Sequence, residues 1–367
     1  MRCQVLRIGI FHPNLNTCGG GEWVTLNIIN SLRKNGHSVI VLTDKKIDQT
    51  KFINTFGEKL QADSEIILPF HLFSRGNPHN IYTDIISCFV LKSKCQIIID
   101  TFSDWVLPGV DVIYMQNAQG SFTDRYKGFK NAVYFLPYRI YERKTKKNLK
   151  KIIFSNSKFT FNTLKANLNL DSYLLYPPLS SFYLKNEKSN YSFKRPDQVV
   201  TLSRFAPEKR LEMIPQIARQ LDKVKFLIVG NLNDRKVYLE LSKQIKDLNL
   251  EENIVLMANV PKEQLRDILF NSKICLHCAN YEAFGISLIE AMACGCLPIA
   301  YDAGGPKEIV PEKFRYKTID EAAEKIEKML KDWTPRDAWE MRNSTLKFSQ
   351  EVFSKNLLNV LHYRRLL

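Results

Sequence analysis

Short runs of β-branched and aliphatic residues alternate with longer stretches of helical period along this chain, and the alternation recurs in two blocks. Such a rhythm marks parallel strands joined by helical crossovers, because parallel neighbours need a connection long enough to return to the same edge. In the first block Val5–Ile10, Ser38–Leu42, Gln96–Asp100, Val112–Met115 and Lys151–Ser155 read as strands. A glycine-rich turn after the first opens the helical stretch Glu22–Arg33, which stops near Asn35-Gly36. From Tyr176-Pro177-Pro178 to Arg195-Pro196 the periodicity is lost, and 179–197 is expected to be a linker. The second block supplies strands at Val199–Leu202, Lys225–Val229, Asn253–Met257, Lys273–His277 and Leu297–Tyr301. Helical stretches near Arg210–Leu221, Lys236–Leu248, Lys262–Phe270, Gly285–Ala293 and Asp320–Lys331 separate them. The expected fold class is α/β: two doubly wound parallel sheets in domains 1–178 and 198–347, with a tail helix in 348–367 packing back on the first.

Composition narrows the function classes. With 367 residues, 45% hydrophobic and 25% charged, the chain can bury two cores, and disordered or collagen-like architectures are excluded. No stretch approaches the roughly 18 apolar residues of a membrane span. The opening is basic but breaks at His12-Pro13 before a signal-peptide core forms, so a cytoplasmic, non-spanning protein is expected. Its eight cysteines are then expected as free thiols. Those in Cys275-Leu276-His277-Cys278 and Cys294-Gly295-Cys296 keep apolar company that suits buried strands better than zinc.

The charge is uneven. Residues 1–195 hold 27 Lys+Arg against 14 Asp+Glu, whereas the remainder of this +15 chain is nearly balanced. The excess is densest where Arg139, Arg143, Lys144, Lys146, Lys147, Lys150 and Lys151 stand among Phe135, Tyr138 and Tyr141. A solvated helix face, an anionic membrane surface or nucleic acid could each account for that segment.

The second block concentrates the groups with chemistry. Glu282 and Glu290 stand eight positions apart around the expected start of a helix. In a continuous helix their Cα atoms would lie about 12 Å apart, too far for a hydrolytic pair flanking one bond. Two clamps on hydroxyl groups fit better, since a carboxylate accepts two hydrogen bonds and a diol donates two. Between the acids, N–H groups around Gly285 to Leu288 can receive a phosphate. Arg204 and Lys209 follow the first strand of this block, where a guanidinium and an ammonium suit a diphosphate. In the first block Cys18-Gly19-Gly20-Gly21-Glu22 lets backbone approach an anion or sugar, yet fits neither the dinucleotide fingerprint nor the P-loop.

Together these segments resemble family 4 glycosyltransferases of the GT-B fold, two Rossmann-like domains facing across a cleft. The string from Glu282-Ala-Phe-Gly to Glu290-Ala-Met-Ala-Cys-Gly matches that family's E-x7-E motif. Gly19-Gly20-Gly21-Glu22, Ser155-Asn-Ser157-Lys158-Phe159-Thr160, Tyr176-Pro177-Pro178, Ser203-Arg204 with Lys209, and Gly304-Gly305-Pro306-Lys307-Glu308 stand in the family's order. The opening Phe11-His12-Pro13-Asn14 through Gly-Gly-Gly-Glu is similar to cytosol-facing mannosyltransferases that extend dolichol-linked oligosaccharides.

The resemblance implies retaining transfer of a hexose, mannose from GDP-mannose first, to a lipid-linked glycan at the cytosolic membrane face. It implies that Glu282 holds the transferred sugar, Glu290 the ribose, and Arg204 with Lys209 the departing diphosphate. Phe284, Gly285 and Ile286 would offer backbone amides, while Gly20 and Gly21 close on the phosphates. Gly19, Gly230, Val260, Ala283, Ser287 and Leu288 complete the implied donor site. No metal or other cofactor is implied. Many members carry histidine in a Tyr-x-His-x-Pro segment, where this chain has Gln116 in Tyr114-Met115-Gln116-Asn117-Ala118. Glutamine can hydrogen-bond a sugar hydroxyl but cannot titrate. The expected partners are a nucleotide sugar, a lipid-linked or other glycan acceptor and an anionic membrane surface. UDP-glucose or UDP-N-acetylglucosamine donors are the alternative within the class. A non-catalytic sugar-nucleotide binder or a nucleic-acid binder is the alternative outside it, the latter leaving Glu282 and Glu290 without a role.

Overall fold

The computed structural model describes residues 5–68, 80–103, 105–117, 129–147, 150–184 and 195–367, without the side chains of 145–147. The chain forms two compact units, Met1–Pro178 with Gln350–Leu367, and Leu179–Ser349.

The first unit is built on a seven-stranded sheet of β1 (Arg7–Phe11), β2 (Ser38–Thr43), β3 (Ser64–Ile67), β4 (Ile97–Asp100), β5 (Val112–Met115), β6 (Ile152–Ser155) and β7 (Tyr173–Leu174). Its spatial order is β3-β2-β1-β4-β5-β6-β7, every pair parallel. The order reverses between β1 and β4, the kind of switch point at which open α/β sheets bind ligands. β4, β5 and β6 are buried along their whole length. That explains their unbroken apolar runs, because helices cover both faces of a parallel sheet.

One covering helix, Gly20–Lys34, packs Trp23, Val24, Leu26, Ile28 and Ile29 into the core. The helix Gln350–Tyr363 joins the same core through Phe353, Leu357 and Leu361. Its first residue donates an amide hydrogen bond to Asn27 at 2.8 Å. The opposite face of the sheet is filled by residues that include Leu91, Ile98, Ile113, Phe135, Tyr138 and Leu164.

The second unit has a six-stranded sheet of β8 (Gln198–Leu202), β9 (Lys225–Gly230), β10 (Ile254–Ala258), β11 (Ile274–His277), β12 (Leu297–Tyr301) and β13 (Arg315–Tyr316). The order β10-β9-β8-β11-β12-β13 is again parallel throughout and switches between β8 and β11.

Two expectations need revision. The stretch 179–197 is not a free linker where it is described. The Leu179 N–H donates to Phe348 O, Tyr183 is buried, and the Arg195 guanidinium donates to the carbonyls of Ser272 and Cys294 at 2.7 Å each. Nor is Arg210–Leu221 one helix. A 3-10 turn at Pro207–Lys209 ends on Arg210 at φ +53°, and a helix follows only at Met213–Ala218. Pro215 has no N–H and tolerates only the first helical turn, so the helix starts late.

Candidate functional site

The second unit gathers its chemistry at the carboxyl ends of β8, β9 and β11. Lys209 lies in the turn after β8, and its ammonium meets the Glu282 carboxylate at 2.7 Å. These groups are 73 residues apart in sequence and largely shielded from solvent. His277, the last residue of β11, sets Nε2 3.6 Å from the same carboxylate. Burial raises the Glu282 carboxyl, but the His277 hydrogen bond and the Lys209 charge win and hold it well below the ordinary carboxylate range. An ionised acid with one edge held by the protein can still accept hydrogen bonds from hydroxyl groups.

A backbone cradle supports this acid. Gly305 N–H donates to Glu282 O at 2.8 Å. A Cβ at Gly304 would come within 2.4 Å of the Glu282 carbonyl oxygen, and one at Gly305 within 2.2 Å of that of Ala283. Gly285, at φ +107°, turns the chain into the helix Ile286–Ala293. That helix leaves the N–H groups of Ile286 and Ser287 free of intrahelical partners, while Leu288 N–H is already used on Gly285 O at 3.0 Å. Phe284 is buried against Phe348, so it contributes through its backbone position.

Glu290, one face along the same helix, is pushed up to about 7 by burial, against the pull of the Lys262 ammonium. Beside it stand Tyr183, buried, and Phe182, whose ring carries Lys262 Nζ at 4.4 Å and the Arg266 guanidinium at 4.6 Å. Arg204 lies half-exposed and pairs with Glu208 at 3.0 Å rather than with Glu282. Gly230 closes β9 under the backbone of Ser203 and Arg204. The half-buried Val260 follows Asn259, whose side chain accepts the Leu232 N–H at 3.0 Å.

In the first unit the glycine turn and Gln116 come together. Gly19 precedes the helix that Gly20 begins, and its N–H donates to Glu22 at 2.7 Å. The Gln116 amide occupies the space a Gly21 side chain would need, within 2.6 Å of an ideal Cβ. It is fixed there by donating to Thr101 O at 2.9 Å. Around it lie buried Asp100, Thr101, Asn156 and Ser157, all at carboxyl ends of strands. Asp100 is pushed up to about 7 by burial despite hydrogen bonds from Ser103 and Phe102.

The basic segment divides. Arg143 and Lys144 are exposed on the helix Leu136–Lys147, Lys150 is exposed, and Arg139 is half-buried. Lys151 is a correction: its ammonium is spent on the carbonyls of Leu107 and Val110, and burial lowers its pKa. The side chains of Lys146 and Lys147, and Ala118 of the Gln116 stretch, lie outside the described residues. Cys275, Cys278, Cys294 and Cys296 are buried free thiols, raised by desolvation.

Sequence reasoning left His277, within Cys275-Leu276-His277-Cys278, as part of a buried strand and gave it no role at this site. Its position at the carboxyl end of that strand was the available signal.

Residues 184–345 match the family described as Glycosyl transferases group 1. The GDP-Man:Man(3)GlcNAc(2)-PP-Dol alpha-1,2-mannosyltransferase of Dictyostelium discoideum is 28% identical over 233 residues, covering 57% of this chain and 46% of that protein. This match therefore spans less than half of that relative's length. The phosphatidylinositol N-acetylglucosaminyltransferase GPI3 subunit of Saccharomyces cerevisiae (strain YJM789) is 24% identical over 322 residues, 83% of this chain and 69% of that protein. Among solved structures, sucrose-phosphate synthase from Thermosynechococcus elongatus superimposes with a TM-score of 0.74 at 16% identity, over 98% of this chain and 99% of that one. Anabaena HepE in complex with UDP and glucose gives 0.73 at 14%, over 98% and 100%. The shared fold is GT-B.

Proposed function

We propose that this chain, whose residues 184–345 match the family Glycosyl transferases group 1, is a glycosyltransferase that moves a hexose from a nucleotide-diphosphate sugar to a lipid-linked glycan with retention at the anomeric carbon. Mannose from GDP-mannose is the donor in this reading, and the reaction takes place at the cytosolic face of a membrane. The observation that carries it is the Lys209–Glu282 pair at the glycine-cradled start of the Ile286–Ala293 helix. In the reaction the bond from the anomeric carbon to the diphosphate breaks, one to an acceptor hydroxyl oxygen forms on the same face, and the hydroxyl proton passes to the departing diphosphate.

Each group has a task in that step. Lys209, Arg204 and the helix N-terminus neutralise charge gathering on the leaving diphosphate, an interaction worth most in the transition state. They take the place of a divalent metal. Glu282 accepts hydrogen bonds from the transferred sugar and Glu290 from the ribose. The mannosyltransferase relative supports this choice of donor. A second reading, transfer of N-acetylglucosamine from its UDP donor, draws on the GPI3-subunit relative, which aligns over more of the chain.

Thermal unfolding with GDP, GDP-mannose, UDP and UDP-N-acetylglucosamine separates them, since a ligand of the native state raises the melting temperature by mass action. GDP and GDP-mannose should stabilise selectively, and Lys209→Ala should cut turnover about a hundredfold in protein that still folds, with some apo stability lost through the broken Glu282 pair. Selective stabilisation by the UDP pair would establish the second reading. No shift with any of the four would reject both.

A further inference from the structure

The first unit carries an apolar surface that its own fold leaves facing solvent. Residues 129–134 and 136–147 behave as one helix across their join, since Phe135 N–H bonds Asn131 O and Arg139 N–H bonds Phe135 O. Its inner face buries Phe135, Tyr138 and Glu142. Its outer face presents Phe129, Val133, Leu136 and Ile140, spaced i, i+4, i+7 and i+11 along one stripe. Phe129 is 85% exposed and the other three between 48% and 58%. Tyr134 stacks edge-on against Tyr82 with centroids 5.2 Å apart, which joins the stripe to the helix Ile81–Lys92. On that helix Tyr82, Ile86 and Phe89 share a face, with Ile86 52% and Phe89 55% exposed. Two helices thus turn aliphatic and aromatic side chains outward side by side, a feature soluble surfaces keep small unless something covers it.

The border of the patch identifies what covers it. Residues 129–151 hold eight Lys or Arg and a single acid, Glu142, which is buried. Lys130, Arg143 and Lys144 are exposed on the same helical segment. A protein interface depletes lysine, whereas an anionic bilayer attracts cations to its headgroups and takes apolar side chains just beneath them. We propose that this two-helix face is a docking surface for an anionic lipid bilayer, with Phe129, Val133, Leu136, Ile140, Ile86 and Phe89 entering the headgroup and acyl boundary. Among the described residues no helix is long and apolar enough to cross a membrane, so the contact lies along the surface. For its purpose, access to a lipid-linked acceptor, the proposal rests on the function proposed above.

Vesicle flotation tests it. The protein should float with phosphatidylcholine vesicles containing phosphatidylserine and stay behind with phosphatidylcholine alone. Phe129→Ser with Ile140→Ser, and separately Ile86→Ser with Phe89→Ser, should each weaken partitioning roughly tenfold or more. Leu239→Ser, at an exposed position of the second unit, should not. All variants should keep wild-type melting temperatures. Flotation unchanged by both double variants would overturn the proposal. So would wild-type protein that ignores both vesicles, or that binds a short RNA tightly and in a salt-sensitive way in their place. Turnover on a water-soluble glycan acceptor is read in parallel. Flotation without turnover rejects the transferase reading and keeps the surface, while turnover without flotation does the reverse.

Discussion

Glu282 and Glu290 are one residue type on one segment, yet their surroundings shift their carboxyls in opposite directions. Lys209 and His277 keep the first charged against the pull of burial. The second has only the Lys262 charge against burial and stands near 7. A carboxyl whose pKa is raised on folding binds a proton more tightly in the native state. Its contribution to stability is full below the unfolded value and is lost as pH climbs through the folded one. For Glu290 that window runs from 4.5 to about 7. Glutamine keeps the shape without the charge, so Glu290→Gln should gain stability on the wild type between pH 5 and pH 8, by up to about 3 kcal/mol. Asp100 shifts in the same direction but is untouched by the substitution, so the difference between the two proteins isolates Glu290. Urea titrations at both pH values measure it, and a pH-independent difference would show that Glu290 is ionised like a surface acid. Both acids were legible from their spacing. Their separation in pKa was not, because it arises from His277 and Lys209, which reach Glu282 from other strands' ends, and from a burial that no local pattern encodes.

At the scale of elements, legibility followed burial. Strand Val112–Met115 and strand Leu297–Tyr301 have the ends their apolar runs suggest. The strands that escaped notice, Ser64–Ile67, Tyr173–Leu174 and Arg315–Tyr316, sit at or next to sheet edges and are short, so few residues carry a period. Close approaches between turns were also hidden. Ser203 N–H bonds Val229 O, and a Cβ on Gly230 would fall 1.8 Å from Ser203 O, inside covalent-like distance. Backbone sits on both sides, so no side-chain rotation relieves the overlap. Gly230→Ala should cost about 3 kcal/mol or more in chemical denaturation, at the upper end of overpacking effects. A loss below about 1 kcal/mol would mean that the β8 and β9 turns separate without penalty.

At the scale of the molecule, the first unit is made from two distant pieces of chain. Phe353, Leu357 and Leu361 are all buried in its core. Each such side chain stabilises by about 1.5–3 kcal/mol, so losing the three rivals the whole stability of a typical domain. Protein ending at Ser349 should therefore lose the first unit's cooperative unfolding while the second survives as a protease-resistant fragment of about residues 179–349. Calorimetry showing both transitions intact would deny the tail its place in the core.

The same interleaving sets an order on synthesis. A ribosome delivers every residue of the second unit before it delivers the last helix of the first. The second unit can reach its native state while the first still lacks part of its core, with the Trp23 face of the Gly20–Lys34 helix waiting for a partner. Newly made chains therefore pass through a stage in which the first unit lacks Phe353, Leu357 and Leu361 from its core.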